Sequence, residues 1–144
     1  MTESKEYRSK MMSRIRSTGG KAEVILAKAL WHKGIRYFKN YKKVYGKPDI
    51  AITKYKIAVF VDGEFWHGYD WENQKKKRIR TNRDYWIPKI EKNIERDRIV
   101  NKKLEDDGWI VLRFLEKHEV LKDLDSCVEK VINKVNYQRS TIET

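Results

Sequence analysis

The sequence predicts one α/β domain with its elements in the order α-β-β-β-α-β-α. Three observations carry that prediction. Apolar residues recur at helical spacing in three separate stretches, and Ile57–Val61 is an uninterrupted apolar run of the kind found in a strand buried on both faces. The chain of 144 residues is long enough to enclose one hydrophobic core but not two.

Residues 1–19 are polar and basic and end in Ser17-Thr18-Gly19-Gly20, which reads as an arm carrying at most a short helix over Met11–Arg16. Ala22, Ile25, Leu26, Ala29 and Leu30 then mark the first helix, with Gly34 as its stop. Strands are expected over Ile35–Tyr41, which alternates, over Asp49–Thr53, and over Ile57–Val61, with Tyr45-Gly46-Lys47-Pro48 as a turn. Residues 62–83 suit neither helix nor strand and read as a long functional loop, since Phe65, Trp66, Tyr69 and Trp71 argue against disorder. A long helix follows from about Asp84 to Asp107, where Pro88 is acceptable only in the first turn. Its inward stripe reads Trp86, Ile90, Ile94, Asp97, Val100 and Leu104. Gly108 ends it, Trp109–Leu115 forms the last strand, and Val120, Leu124, Cys127, Val128, Val131 and Val135 define one face of the final helix. The expected division is an arm over 1–19, a folded domain over 20–137 and a tail over 138–144.

The formal net charge is +12, from 33 Lys and Arg against 21 Asp and Glu. A chain this basic is drawn to a polyanion. The basic stretches interleave with Trp, Tyr and Asn rather than forming a Leu-rich amphipathic face, which favours nucleic acid over a membrane surface. No apolar run approaches the ~20 residues that span a bilayer, and residues 1–10 hold no apolar secretion segment. The single cysteine, Cys127, excludes an intrachain disulfide and suits a reducing cytoplasm.

Asp49, taken alone, reads as an ordinary turn aspartate. The next strand, however, ends in Asp62-Gly63-Glu64, so two neighbouring strands would bring three carboxylates to one end of a sheet. Divalent cations take hard oxygen ligands, and phosphodiester hydrolysis needs a cation against the developing charge. Asp97 lies on the apolar stripe of its helix and needs a partner there. Either an arginine (Arg96, Arg98 or Arg113) supplies it, or Asp97 holds an imidazole in one tautomer. His67, inside the aromatic loop, is the matching imidazole and the candidate general base. Phe65, Trp66, Tyr69 and Trp71 beside Lys75, Lys76, Lys77 and Arg78 suggest a wedge that stacks on bases while cations grip phosphate.

With these motifs in order, the chain resembles the very short patch repair (Vsr) endonucleases, a branch of the PD-(D/E)xK nuclease superfamily. The resemblance runs from about Arg8 to Glu116. It rests on Met11–Ser17, Glu23, Gly46-Lys-Pro-Asp-Ile50, Val59-Phe-Val-Asp-Gly63, Phe65-Trp-His-Gly68, Thr81–Trp86, Lys89-Ile90, Asn93, Glu95-Arg-Asp-Arg98 and Gly108–Leu112. It implies a restriction-endonuclease-like three-layer α/β/α fold around a mixed sheet, and Mg2+-dependent nicking of one DNA strand at a T:G mismatch. By position, Asp49 resembles the metal-binding aspartate and Glu23 the glutamate that bonds water at the metal. His67 resembles the histidine that activates the attacking water, and Asp97 the aspartate that orients it. Val61 falls where the family uses a backbone carbonyl on the metal. Phe65, Trp66 and Trp86 resemble the aromatics inserted from the major groove, and Met12 the residue entering from the opposite side, with Arg14 and Arg16 beside it on the arm.

Three departures qualify the resemblance. Better-known members bind structural zinc where this chain has Glu64, Tyr69, Trp71 and Lys117, so no zinc is expected. Packing of Tyr69 and Trp71, or charge pairing of Glu64 or Asp70 with the lysines, is expected to brace the loop instead. Asp62 stands where the family has a histidine, adding a carboxylate that could join Asp49 on the metal. The recognition loop also has its own sequence. The resulting expectation is a monomeric cytoplasmic nickase acting on mismatched duplex DNA, with mismatch repair proteins or a companion cytosine methyltransferase as partners. A restriction-type enzyme cutting both strands and a non-cutting DNA-binding module are the alternatives.

Overall fold

A computed structural model of the chain describes residues 20–64, 67, 79 and 81–143. Within them lie α1 (Lys21–His32), β1 (Phe38–Lys39), β2 (Ile50–Ile52), β3 (Ile57–Asp62), α2 (Arg83–Asp106), β4 (Ile110–Leu115) and α3 (Leu124–Glu143). A 3-10 turn over Thr53–Tyr55 joins β2 to β3, and a π-helical turn over Glu116–Val120 joins β4 to α3. The four strands form one mixed sheet in the order β1-β2-β3-β4, antiparallel except for the parallel β3–β4 pair.

Alternation along β3 divides the interior. Ile57 and Val59 face a core built with Leu26 and Leu30 of α1, Ile50 and Ile52 of β2, Phe114 of β4, and Val128, Val131 and Val135 of α3. Ala58 and Phe60 face the other way, onto Val100 and Leu104 of α2. Helices therefore cover both faces, and β3 is apolar from Ile57 to Val61, up to the Asp62 that ends it, because neither face meets water. Each fully buried Leu or Ile side chain, such as Leu26, Leu30 or Ile57, contributes roughly 1.5–3 kcal/mol.

Both glycine stops act as the sequence suggests. Gly34 and Gly108 adopt φ of +87° and +88°, and the next residue's N–H returns to the helix, Ile35 to the Leu30 carbonyl and Trp109 to that of Leu104. Gly46, at φ +81°, is a third such position; a Cβ there would also collide with Val100 Cγ1, so only glycine lets this turn lie against α2.

Four boundaries differ from expectation. The alternating stretch Ile35–Tyr41 yields a strand only at Phe38–Lys39, because the preceding residues bond to α1 instead. Arg36 stacks 3.6 Å over the Trp31 ring and donates to its carbonyl, Tyr37 Oη donates to the Ala27 carbonyl at 2.7 Å, and left-handed Asn40 ends the extension. Pro88 falls in the second turn of α2, since that helix starts at Arg83. The Asp84 carbonyl that loses its amide partner to the proline lies on an exposed residue. Val120 is buried in the π-helical turn rather than in α3. Residues 138–143 continue α3 instead of forming a tail, and Gln138 Nε2 donates to the Tyr55 carbonyl at 2.8 Å.

Candidate active site

The topology sends several polar side chains to one end of the sheet. β2 runs antiparallel to β3, so Asp49, just before β2, lies beside the end of β3. β4 runs parallel to β3 with Asp62 opposite Leu115, so both strands finish at that same end. The turn through Gly46, left-handed Lys47 and buried Pro48 delivers Asp49 there, and its Oδ2 accepts the Val61 N–H at 2.7 Å.

Burial makes the corner electrostatically tense. Asp49 is pushed up to about 6, first by loss of water and further by the charges of Glu23 and Asp62, although the Val61 bond opposes this. Glu23, in the first turn of α1, is only 4% exposed, and Lys39 Nζ lies 4.0 Å from its Oε1. Asp62, 7% exposed, is also raised by desolvation, with His67 and Arg113 partly offsetting it.

His67 sits between two carboxylates. Its Nδ1 is 2.5 Å from Asp97 Oδ2 and its Nε2 is 3.6 Å from Asp62 Oδ1. A carboxylate only accepts, so Nδ1 carries the proton and Nε2 is left as the basic nitrogen of the neutral ring. Burial alone would lower the imidazole pKa; the Asp97 bond and the charges of Asp62 and Asp97 outweigh it and leave it raised. Asp62, His67 and Asp97 offer ligand atoms all within 4.8 Å of one another, a possible metal-holding cluster among the described residues.

The two explanations offered for Asp97 coexist. One oxygen meets His67, and the other lies 3.5 Å from Arg113, while Arg98 pairs with Glu95. Asp97 is half-buried, not engulfed. Arg113 also donates to both oxygens of Asp62, at 3.1 and 3.2 Å, and to Asn101 Oδ1 at 2.6 Å. Its reach into the site was missed as more than a partner for Asp97; the available signal was an arginine interrupting the apolar strand Ile110–Leu115. Asn101, one turn beyond Asp97 on the same face of α2, had no such signal.

Among the described residues, the partners of Glu64 lie after β4, while the lysines of the loop fall outside them. Its carboxylate accepts the backbone N–H groups of Lys117 and His118 and contacts His118 Nδ1 at 2.5 Å. That joins the end of β3 to the turn after β4, using two positions where a zinc ligand set was considered. Trp86 is half-buried near the start of α2, edge-on to Tyr85 with ring centroids 4.8 Å apart. Met12, Arg14, Arg16, Phe65, Trp66, Tyr69, Asp70, Trp71, Lys75, Lys76, Lys77 and Arg78 lie outside the described residues.

The family model for the DNA mismatch endonuclease Vsr matches residues 2–73. The chain belongs to the Vsr family. It is therefore a DNA endonuclease, and the matched stretch includes Asp49 and His67. Among its Vsr-like relatives, the type II nicking enzyme V.NmeDIP of Neisseria meningitidis serogroup C is 53% identical over 126 residues, covering 88% of this chain and 84% of the relative. The type II nicking enzyme V.HpaIIP of Haemophilus parainfluenzae is 45% identical over 135 residues, covering 93% and 94%. The DNA mismatch endonuclease Vsr of Escherichia coli is 34% identical over 108 residues, covering 75% and 68%.

Proposed function

We propose that this Vsr-family endonuclease is a magnesium-dependent nickase that cuts one strand of duplex DNA at a T:G mismatch, with Asp49 as its metal carboxylate. The observation that carries this reading is the convergence of Asp49, Glu23, Asp62 and the His67–Asp97 pair on one end of the sheet. Helices on both faces of that sheet support the restriction-endonuclease-like three-layer arrangement.

The residues suit a divalent cation. Asp49 is crowded by the buried acids Glu23 and Asp62, and a carboxylate pushed up to about 6 by lost water and neighbouring negative charge would be relieved by a hard cation among oxygen donors. Asp49 would hold the ion, which when bound supplies positive charge against the phosphate and makes nearby water more acidic. His67 Nε2 takes the proton of the attacking water, while Nδ1–H stays on Asp97 and fixes the ring. Glu23 orients water beside Asp49. Cleavage leaves a 5′ phosphate and a 3′ hydroxyl.

In the same reading Met12, Arg14 and Arg16 approach the duplex from the arm, Phe65, Trp66 and Trp86 enter beside the mismatch, and Lys75–Arg78 grip phosphate. The net charge of +12 supports DNA as the partner. The enzyme acts as a cytoplasmic monomer alongside mismatch repair proteins or a cytosine methyltransferase.

The test is a supercoiled plasmid and a panel of duplexes carrying each single mismatch, incubated with Mg2+. Nicked product on T:G duplexes is expected, and Asp49→Ala should abolish it while largely retaining binding. His67→Ala should slow it by roughly 10²–10⁴-fold. Undiminished cleavage by Asp49→Ala removes the proposed centre, and direct linearisation points to a two-strand cutter.

A further inference from the structure

β3 and β4 end side by side, with Asp62 opposite Leu115, and just beyond those ends the side chain of Glu64 meets the backbone of Lys117. That side chain is 12% exposed, and its Oε2 gathers three N–H groups. The Lys117 backbone donates at 3.0 Å, the His118 backbone at 2.8 Å and His118 Nδ1 at 2.5 Å. The turn that supplies these donors is itself fixed. Glu119 Oε1 accepts the Leu115 N–H at 2.9 Å, the Leu121 N–H closes on the Glu116 carbonyl, and Val120 is fully buried in the core shared with α1 and α3.

His67 follows three residues after Glu64, and its N–H returns to the Gly63 carbonyl at 3.1 Å, so Glu64 stands inside the single turn that carries the imidazole. The ring has to be placed at both nitrogens, Nδ1 2.5 Å from Asp97 of α2 and Nε2 3.6 Å from Asp62 of β3. Displacing a reacting group by about 1 Å can cost roughly 10²-fold in rate. Bonds from N–H groups to a carboxylate are among the stronger ones a protein makes, and here they bind the turn to a part of the chain that the core holds still. We propose that Glu64 is a positioning residue for nicking: by fastening the Gly63–His67 turn to the backbone of Lys117 and His118, it sets the His67 imidazole between Asp62 and Asp97. This rests on the reading of His67 as the base.

The experiment compares four variants of the full-length protein at a temperature where circular dichroism shows each one folded. Proton NMR follows the downfield resonance of the His67 Nδ1–H without DNA, and nicking of a mismatched duplex gives kcat and KM. Glu64→Ala should lose or shift the resonance and lower kcat roughly 10–10²-fold, with KM for duplex little changed. Glu64→Gln keeps the reach and an acceptor oxygen but not the charge, whereas Glu64→Asp keeps the charge and falls one methylene short. Positioning requires the glutamine variant to retain more of both signals than the aspartate variant; an effect of charge alone requires the reverse. His118→Ala removes the ring contact and leaves the two backbone bonds, so it should have a smaller effect, and none when added to Glu64→Ala.

A wild-type resonance and kcat in Glu64→Ala, or an aspartate variant that outperforms the glutamine one, overturns the proposal. Should Glu64→Ala not fold, the order of the other two Glu64 variants decides in its place. The resonance is read without cleavage, so a His67→Ala variant that still nicks at the full rate would sink the assignment of the base separately.

Discussion

His67 gathers the strongest constraints on any one side chain. Its partners favour the protonated ring, so in the reading above the base is withheld until pH exceeds the ordinary imidazole range. The rate of nicking should therefore rise through a limb lying above that range, and Asp97→Asn should move the limb to lower pH while reducing the plateau. A pH–kcat profile of the two proteins checks this. Asp49 has the opposite thermodynamic sense from a paired carboxylate. Its folded-state value of about 6 stands above the ordinary 3.8, so the metal-free fold loses stability as pH rises from about 4 to about 6. That gap corresponds to at most roughly 3 kcal/mol. Asp49→Asn should accordingly raise the metal-free Tm at pH 7 but not at pH 4, and added Mg2+ should stabilise wild type but not the variant.

At the scale of elements, Glu64 does the most with one side chain, fastening the end of β3 to the turn after β4. Burial works against its charge, but the bonds from His118 and Lys117 outweigh that and hold its pKa below the usual glutamate range. Its contribution is therefore present above about pH 4.5 and is lost as pH falls through the lowered value. Glu64→Ala should cost about 1–3 kcal/mol near neutrality, as expected for loss of bonds to a charged acceptor. Glu64→Gln should lie between, its Tm deficit shrinking in acid; denaturation followed across pH measures both. Much of this architecture was legible. Gly34 and Gly108 marked the ends of α1 and α2, and the apolar run at Ile57 marked a strand covered on both faces. Asp49 and Asp62 stood out because neighbouring strands would carry their carboxylates to one end of the sheet, and Asp97 because a charge on an apolar stripe needs a partner, which His67 in the aromatic loop could supply. Arg113 and the Glu64–His118 contact were less visible because they join residues 51 and 54 positions apart, and only strand register brings them together. The short β1 was over-read because alternation at Ile35–Tyr41 cannot reveal that Arg36 and Tyr37 bond backward to α1.

For the molecule as a whole, the net charge of +12 sets how the enzyme meets its substrate. If six to ten phosphates are engaged, raising salt from about 50 to 200 mM should weaken duplex binding by roughly 10³–10⁵-fold, for matched and mismatched DNA alike. Fluorescence anisotropy across that range should separate this common slope from any mismatch preference, which should survive as a nearly constant ratio; a flat salt response would deny the charge its role. No helix among the described residues is long and apolar enough to cross a membrane.

Cys127 has a practical consequence. Its thiol is 2% exposed within the core beneath α3 and is pushed up to about 11 by burial, so it offers almost no thiolate to a reagent at neutral pH. A cysteine introduced at an exposed position such as Tyr137 can therefore take a fluorophore or spin label while the native sulfur stays silent. Distances to a bound duplex become measurable without first stripping a buried side chain from the interior.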